Sequence, residues 1–371
     1  MKIKPFRATY PNFDFIASPD SFCDDAKHAF REFQANGFFE KSPQDAFYIY
    51  QIESDGRKHT GLIALNEVED FFAGKVKKHE KTLSEREQKQ MQLFLQWNAI
   101  LKPVLLTYPP VPDIHRWLEQ FCQLHQPLFT TRFAKDRQTH RVWTIADKGD
   151  IATLQQLFTT HVHGTYIADG HHRTTTIALL HERLKGKGNG FDFSHLFCAF
   201  FSADQLDILD YNRVVDGLNE MSPTHFMVKM SKIFDLDVLE QPRKPQAKHE
   251  IVMYAQKQWY SLHWKEAVLK KQDAGRVILD ANLLNELVLA EILDIRDVRS
   301  DERLTYVDGA RGLDGLRKAV NDKDGGIGFM LFPVMIDDMI RMVDIGESLP
   351  PKSTYFEPRL KSGILVKMLK E

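Results

Sequence analysis

The chain has 371 residues, of which 43% are hydrophobic and 27% are charged, and its formal net charge is -2 at pH 7. This length and composition indicate a globular protein of about two domains, and the nearly neutral charge argues against a protein that binds the nucleic-acid backbone. The three cysteines form no CxxC pair, no apolar run approaches the roughly 20 residues that span a bilayer, and residues 1–10 lack an apolar signal segment, so we expect a cytoplasmic protein without membrane contact.

The apolar pattern predicts short strands and helices in the first part of the chain. In order these are a hairpin (Ala46–Gln51 and Thr60–Leu65), a helix from Ser84 to about Ile100, a strand (Pro103–Tyr108), a helix (Ile114–Leu124), a strand (His140–Ala146), a helix from a cap at Asp150 to Phe158, a strand (Tyr166–Ala168), a helix with Ile177, Leu180 and Leu184 on one face, and a strand (Leu196–Phe201).

The pattern changes after Met221-Ser-Pro223. A helix (Thr224–Phe234), a strand pair within Ile251–Leu262 and a helix (Asn282–Leu293) are predicted there. We therefore expect an α+β protein with one domain over residues 1–220 and a smaller α/β domain over residues 221–371.

The segment from Thr165 to Arg173 reads Thr-Tyr-Ile-Ala-Asp-Gly-His-His-Arg and leads into the helical pattern. It predicts a strand, a tight turn at Gly170 and a helix N-terminus, where free N–H groups favour an anion. Arg173 adds donors suited to phosphate. The sequence therefore predicts a phosphate-binding site, with Asp169 near the reacting group or a metal; the alternative is an aspartate cap followed by exposed histidines.

Three further groups are candidates for the same site. Glu80, between His79 and Thr82, is a candidate general base or Mg²⁺ ligand, or part of a solvated charged turn. Arg213 follows a predicted strand and is either a second phosphate ligand or a surface ion-pair partner. Lys352, Ser353 and Thr354, in a proline-bounded segment, form either a pocket-closing clamp or a packing loop.

Four histidines lie within twelve residues: His161, His163, His171 and His172. They raise the alternative of a metal-dependent hydrolase, but no cysteine or carboxylate shows ligand spacing, so we predict no protein-held metal site. The Walker A, dinucleotide-binding and nucleophile-elbow motifs are also absent from the sequence.

Five ordered motifs give the chain a family resemblance. They are Lys4-Pro-Phe-Arg7, Lys78-His-Glu-Lys-Thr82, Tyr166-Ile-Ala-Asp-Gly-His-His-Arg173, Asn212-Arg-Val-Val215 and Pro350-Pro-Lys-Ser-Thr-Tyr-Phe-Glu-Pro-Arg359. Together they resemble the bacterial and archaeal family called domain of unknown function 1015, which carries a SpoOJ/ParA/ParB/RepB-like description. The family usually has Pro-Pro-Tyr-Asp where this chain has Ala17-Ser-Pro-Asp20.

The Asp-Gly-His-His-Arg motif is also similar to the phosphate-binding motif of the ParB/sulfiredoxin superfamily, which includes CTP-binding ParB proteins, sulfiredoxin and free-serine kinases. The resemblance is strongest to the serine kinases. It implies a ParB/sulfiredoxin-like mixed α/β fold for the first domain, with Asp169 at the reacting hydroxyl or metal. The serine kinases use a glutamate near the start of the chain as base; residues 1–20 contain no match, and Glu80 is the candidate replacement.

These observations predict a nucleotide-dependent kinase of a small, serine-like hydroxyl metabolite that uses Mg²⁺ with ATP, ADP or CTP. The expected catalytic residues are Asp169, Glu80 and His172. The phosphate-binding residues are expected to be Gly170, His171, His172, Arg173, His79, Thr82 and Arg213, with Lys352, Ser353 and Thr354 closing the pocket. Alternatives are a non-catalytic, ParB-like nucleotide-gated module that binds DNA or protein, and the metal-dependent hydrolase. The sequence leaves a homo-oligomer open.

Overall fold

A computed structural model describes residues 1–80, 82, 84–187, 190–272 and 276–370. The chain forms two compact units. Unit 1 contains Met1–Asp207 and Pro358–Glu371, and unit 2 contains Ile208–Glu357. The division therefore falls earlier than the expected boundary at residue 220, and the last part of the chain belongs to unit 1.

Unit 1 has a mixed α/β structure. Its helices are α1 (Pro19–Ala35), α2 (Glu69–Phe72), α3 (Ser84–Trp97), α4 (Pro112–Leu124), α5 (Lys148–His161) and α6 (His171–Leu184). Its strands up to residue 207 are β1 (Ile3–Lys4), β2 (Ala8–Pro11), β3 (Phe39–Lys41), β4 (Phe47–Ser54), β5 (Arg57–Glu67), β6 (Val76–Lys77), β7 (Ala99–Ile100), β8 (Val104–Tyr108), β9 (Phe129–Phe133), β10 (Gln138–Ile145), β11 (Thr165–Asp169) and β12 (His195–Ser202).

A nine-stranded sheet in the order β6-β11-β8-β12-β5-β4-β10-β9 carries unit 1, with β1 on β5. The predicted hairpin is confirmed: β4 and β5 pair, and Asp55 and Gly56 make the turn with φ of 49° and 79°. The eight consecutive residues His59–Asn66 of β5 are buried, as expected for a strand covered on both faces.

The pairing of β11 sets the position of the predicted phosphate motif. β11 runs antiparallel to β8, with Asp169 opposite Leu105, and parallel to β6, with Tyr166 opposite Lys77. The end of β11 therefore lies beside the beginning of β8. α6 starts two residues after Asp169 and packs on α3.

Unit 2 also mixes helices and strands. Its helices are α7 (Pro223–Ile233), α8 (Glu266–Gln272), α9 (Asp280–Leu283), α10 (Gly312–Asn321) and α11 (Ile336–Asp344), with a π-helix at Leu284–Ala290. Its strands are β13 (Asp207–Leu209, of which Asp207 is the last residue of the first segment of unit 1), β14 (Tyr211–Val215), β15 (Phe234–Val238), β16 (Glu250–Ala255), β17 (Gln258–Trp264), β18 (Leu304–Asp308), β19 (Ile327–Leu331) and β20 (Tyr355–Glu357).

The main sheet of unit 2 has six strands in the order β15-β17-β16-β19-β14-β18. Alternate residues of β14 enter two apolar clusters: Val215 packs in one with Phe226 and Leu284, and Val214 in the other with Leu316. Because successive strand residues point to opposite faces, both faces of this sheet are covered.

The final strand, β21 (Val366–Met368), explains why the end of the chain belongs to unit 1. It lies between β2 and β7 in a four-stranded sheet ordered β3-β2-β21-β7. Val366 is fully buried in a cluster with Phe30 and Trp97. Among the described residues, no helix combines the length and apolar character that crossing a membrane requires.

Candidate functional site

The backbone turn at Gly170 begins the candidate site. Gly170 has a φ of 108° and a ψ of 26°, and a Cβ atom there would lie 2.7 Å from Arg173 Nη2. Both the left-handed backbone and this close approach require glycine. Thr174 N donates to Gly170 O at 2.9 Å, so α6 begins at once, and the first N–H groups of the helix have no carbonyl partner within it. Their positive end favours an anion.

Two cations flank Asp169 at this helix end. Lys102 Nζ lies 3.1 Å from Asp169 Oδ2. Arg173 Nη2 donates to the same oxygen at 3.2 Å and to Pro103 O at 3.2 Å. Lys102 and Pro103 immediately precede β8, whose beginning lies beside the end of β11. The antiparallel pairing therefore brings together a lysine and a motif 67 residues apart in the sequence.

The charge balance at this site is positive. Burial alone would raise the pKa of Asp169, but Lys102 and Arg173 outweigh it and hold the pKa well below its ordinary value. The charge of Arg359 acts on Asp169 in the same direction. Asp169 is therefore a carboxylate at neutral pH, surrounded by more positive than negative charge, and the Lys102 and Arg173 side chains are each only 17% exposed.

Burial determines the charge of the two histidines of the motif. Burial, reinforced by the neighbouring His79, lowers the pKa of His171 well below its ordinary value, and burial also lowers the pKa of His172. Both rings are therefore neutral at neutral pH. His172 Nδ1 has no hydrogen-bond partner among the described residues. The positive charge at the site comes from Lys102 and Arg173 instead.

The segment after β6 lies against the same helix end. The rings of His79 and His171 meet edge to face with centroids 4.3 Å apart, and His79 is hydrogen-bonded to the backbone of Ile167. Burial lowers the pKa of His79 to about 4. Glu80 and Thr82 follow and are partly buried; Lys81 and Leu83 lie outside the described residues.

The remaining predicted ligands belong to unit 2. Arg213, on β14, is fully buried, and its guanidinium lies 5.5 Å from the ring centre of Tyr306. Arg213 and Ser353 line the same cavity. Lys352 Nζ lies 4.9 Å from the ring centre of Tyr211, and Thr354 is partly buried. The alternative prediction, that Arg213 is an ion-pair partner on the surface, is therefore wrong.

The four clustered histidines do not converge on a metal site. Within the residues the structure describes, there is no group of three or more His, Cys, Asp or Glu side chains that could hold a metal ion. His161 ends α5 and, like His163, is exposed, whereas His171 is buried against His79.

Sequence reasoning missed Lys102 and Arg359. Lys102 stands directly before a predicted strand, but which strands become neighbours depends on the sheet order, which the sequence pattern does not specify. Arg359 is the last residue of the motif Pro350-Pro-Lys-Ser-Thr-Tyr-Phe-Glu-Pro-Arg359. The sequence shows this motif, but it does not show that the chain returns to unit 1 after residue 357.

These features define a two-unit mixed α/β protein with a positively charged helix N-terminus. The chain belongs to the family described as Protein of unknown function (DUF1015), whose profile matches residues 6–288. A comparison with curated protein sequences finds no significant match.

Solved structures with partial similarity come from several proteins. SbnI with a C-terminal truncation, from Staphylococcus aureus, is 13% identical with a TM-score of 0.42, over 81% of this chain and 85% of that chain. A free serine kinase in complex with AMP is 14% identical with a TM-score of 0.40, over 83% and 91%. A conserved hypothetical protein from Pyrococcus furiosus is 14% identical with a TM-score of 0.39, over 82% and 95%.

Proposed function

We propose that this protein is a phosphotransferase that moves a phosphoryl group from ATP, ADP or CTP, bound with Mg²⁺, to the hydroxyl of a small, serine-like metabolite. One observation carries the proposal: the N-terminus of α6 lies beside two largely buried cations, Lys102 and Arg173. Phosphoryl transfer depends mainly on positioning and charge neutralisation, and this arrangement supplies both.

In this proposal the phosphates bind at the turn. The missing Cβ at Gly170 leaves room for the Arg173 guanidinium, and the amides of the first turn donate to phosphate oxygens. Arg173 Nε has no hydrogen-bond partner among the described residues, so this N–H is available to a ligand while Nη2 is held by Asp169 and Pro103. Lys102 acts as a point charge, fixed in place by Asp169.

Asp169 and His172 have different roles in this proposal. With a pKa well below its ordinary value, Asp169 is a weak base and fits the role of orienting Lys102 and Arg173 or of ligating Mg²⁺. Mg²⁺ needs only one or two carboxylates when phosphates supply its other ligands. His172 is neutral at neutral pH, and its Nδ1 has no hydrogen-bond partner among the described residues. We therefore propose that His172 is the general base that takes the proton from the acceptor hydroxyl. Glu80 remains the second candidate for that proton.

Calorimetric titration with Mg²⁺ and ATP, ADP or CTP tests the nucleotide site. Arg173→Met and Lys102→Met each remove a charge beside the helix end, and we expect about 10- to 100-fold weaker binding, the usual worth of a charge-assisted hydrogen bond. The control is Arg183→Met at the other end of α6, whose guanidinium contacts Met91 Sδ; its affinity should be unchanged. Unchanged affinities in all three variants would contradict the proposal.

A second measurement separates the kinase from a nucleotide-gated binding module. Phosphorus NMR of the protein with nucleotide, Mg²⁺ and a panel of hydroxyl acceptors, L-serine among them, should show transfer to at least one acceptor. Nucleotide binding with no transfer favours the ParB-like module. A gel shift at two salt concentrations then shows whether DNA is its partner, because binding to the phosphate backbone weakens as the salt concentration rises.

We also propose a cytoplasmic location. The three cysteines are free thiols, and burial raises the pKa of Cys23 to about 12, so this thiol is unreactive at neutral pH. Thiols of this kind fit a reducing compartment.

A further inference from the structure

Unit 2 contains an apolar cavity at one end of its main sheet. It lies between the beginning of α7, the turn that joins β16 to β17, and the segment from the end of α10 to the start of β19. Its volume is about 230 Å³. An apolar cavity of about 150 Å³ already holds a benzene molecule, so this one has room for an aromatic ring that carries a short side chain.

The walls of this cavity are continuous with the core of unit 2. Phe226 and Ile327 belong to one apolar cluster, and Val320 belongs to the other. Met227 and Tyr260 also line the cavity and remain only partly buried. Aromatic rings pack well against each other, and a thioether sulfur makes favourable contacts with a ring. The lining therefore favours an aromatic ligand.

The rim of the cavity is positively charged. Lys257 and Lys323 line it, and no aspartate or glutamate among the described residues does so. Lys323 Nζ lies 3.4 Å from Asp216 Oδ2, whereas Lys257 is exposed and forms no ion pair with any residue that the structure describes. Two lysines and one aspartate leave a net charge of +1, which a monoanion would balance.

Other charges near the rim do not reverse this sign. Asp322 and Asp324 flank Lys323 in the sequence, but both are exposed and neither lines the cavity. The N-terminus of α7 and the C-terminus of α10 both border the cavity, and these two helix ends favour opposite charges. The lysines therefore determine which charge the rim attracts.

The backbone that presents Lys257 is unusual for its sequence. Gln256 and Lys257 form the two-residue turn between β16 and β17, with φ of 50° and 62°. Asn-Gly is the favoured pair in a hairpin turn with two positive φ angles, because other side chains are strained in this backbone conformation. Strained residues are frequent at binding sites. A role of Lys257 in binding a ligand would account for a lysine at this position.

We propose that this cavity binds a small aromatic carboxylic acid as its anion, with the ring between Phe226, Met227 and Tyr260 and the carboxylate at Lys257 and Lys323. Burial of the ring removes apolar surface from water, and the carboxylate supplies the negative charge that the rim lacks. These residues all lie within unit 2, so the inference does not depend on the nucleotide site proposed for unit 1.

Calorimetry and thermal shift of the full chain test this inference with cinnamate. Cinnamamide has the same shape without the charge, acetate has the charge without the ring, and octanoate has an alkyl chain in place of the ring. Cinnamate should raise the melting temperature, because it binds the native state. It should bind about three- to tenfold more tightly than cinnamamide, as expected for a partly exposed ion pair, and at least about tenfold more tightly than acetate.

Two results of these titrations overturn the inference. One is the absence of cinnamate binding up to about 10 mM. The other is tighter binding of cinnamamide, acetate or octanoate than of cinnamate.

Two variants locate the binding site. Lys257→Met removes a charge from the rim and should weaken cinnamate binding about three- to tenfold while leaving cinnamamide binding unchanged. Met227→Trp fills the cavity and should abolish the binding of both compounds. Lys232→Met, at an exposed position of α7, is the control and should bind both compounds like the original chain.

Unchanged cinnamate affinity in Lys257→Met, or in a Met227→Trp protein that still melts cooperatively, overturns the inference. The first variant changes an exposed side chain, so it tests the proposal even if the second does not fold. Mg²⁺–ADP titrated in parallel reports on the nucleotide site separately.

Discussion

Gly170 combines a left-handed backbone with a close contact, and the two effects can be separated. For Gly170→Ala we expect a loss of about 2–3 kcal/mol in the free energy of unfolding, about 1–2 kcal/mol from the backbone and the rest from displacing Arg173. Nucleotide affinity should fall with it. Urea unfolding and calorimetry measure both quantities.

The control for this variant is Gly186→Ala. Gly186 has a φ of 77°, and a Cβ atom there would meet nothing within 4 Å. It should show the backbone cost alone, with nucleotide affinity unchanged. If Gly170→Ala and Gly186→Ala change the free energy of unfolding and the nucleotide affinity equally, the contact between residue 170 and Arg173 contributes to neither.

The buried pair of His79 and His171 predicts a pH-dependent stability. Burial lowers the pKa of both rings, that of His79 to about 4, whereas the unfolded value is about 6.5. Between these values the unfolded chain binds protons that the native state does not. Stability is therefore fully present above pH about 6.5 and falls as the pH drops towards 4, by up to about 1.4 kcal/mol per pH unit for each histidine.

Urea unfolding at several pH values between 4.5 and 7.5 measures this slope. His79→Asn should reduce it by about 1.2 kcal/mol per pH unit near pH 5.5. His28→Asn, on an exposed position of α1, is the control and should leave the slope as it is. A slope that His79→Asn does not change would contradict the assignment of a neutral buried ring.

At the residue scale, the sequence was informative wherever function depends on neighbours in the chain. Gly170 and Arg173 could be predicted because a tight turn and a helix start are local events. Lys102 could not, because it reaches Asp169 only through the pairing of β8 with β11. The neutral state of His171 also depends on tertiary burial, since the same motif on a surface would titrate normally.

At the scale of elements, the N-terminus of α5 allows a direct comparison between the predicted and the observed helix cap. The sequence predicted a cap at Asp150, but Asp147 is the cap: its Oδ1 accepts from Gly149 N at 2.8 Å and from Asp150 N at 3.1 Å. Asp147→Ala should therefore cost about 1 kcal/mol of stability. Asp150→Ala removes only a favourable charge in the first turn and should cost about 0.3–0.5 kcal/mol. Thermal or urea unfolding distinguishes the two, and a larger loss at Asp150 would restore the original prediction.

Long periodic elements could be predicted from the sequence and several others could not. The β11–α6 unit and α7 lie within a few residues of their predicted bounds. α1 was missed, although Ser18 caps it and Pro19 occupies its first turn, because many charged residues interrupt its apolar pattern. The predicted helix Asn282–Leu293 is in fact a short α-helix that continues as a π-helix, a change of hydrogen-bond register that residue spacing does not encode.

At the scale of the whole molecule, unit 1 depends on residues from the far end of the sequence. Five of these are almost completely buried: Leu360, Ile364, Leu365, Val366 and Leu369. Each such side chain contributes about 1.5–3 kcal/mol on burial, which together approaches the entire stability of a typical domain. Removal of residues 358–371 should therefore prevent unit 1 from folding, and hydrogen exchange should show its amides unprotected.

A milder substitution tests the same dependence in a protein that still folds. Val366→Ala should cost about 2–4 kcal/mol in urea unfolding because it leaves a cavity beside Phe30 and Trp97. The control is Val228→Ala on α7, where the side chain is 52% exposed and the cost should stay within about 0.5 kcal/mol. Protected unit 1 amides in the truncated chain would contradict the dependence.

The central position of β21 between β2 and β7 has a consequence for biosynthesis. The ribosome makes β2 and β7 before unit 2, and β21 after it. At about 5–20 residues per second, residues 208–357 occupy roughly 8–30 s of translation. Throughout that interval the nascent polypeptide lacks the strand that pairs with both β2 and β7, so unit 1 completes its folding only after the ribosome has made the whole chain.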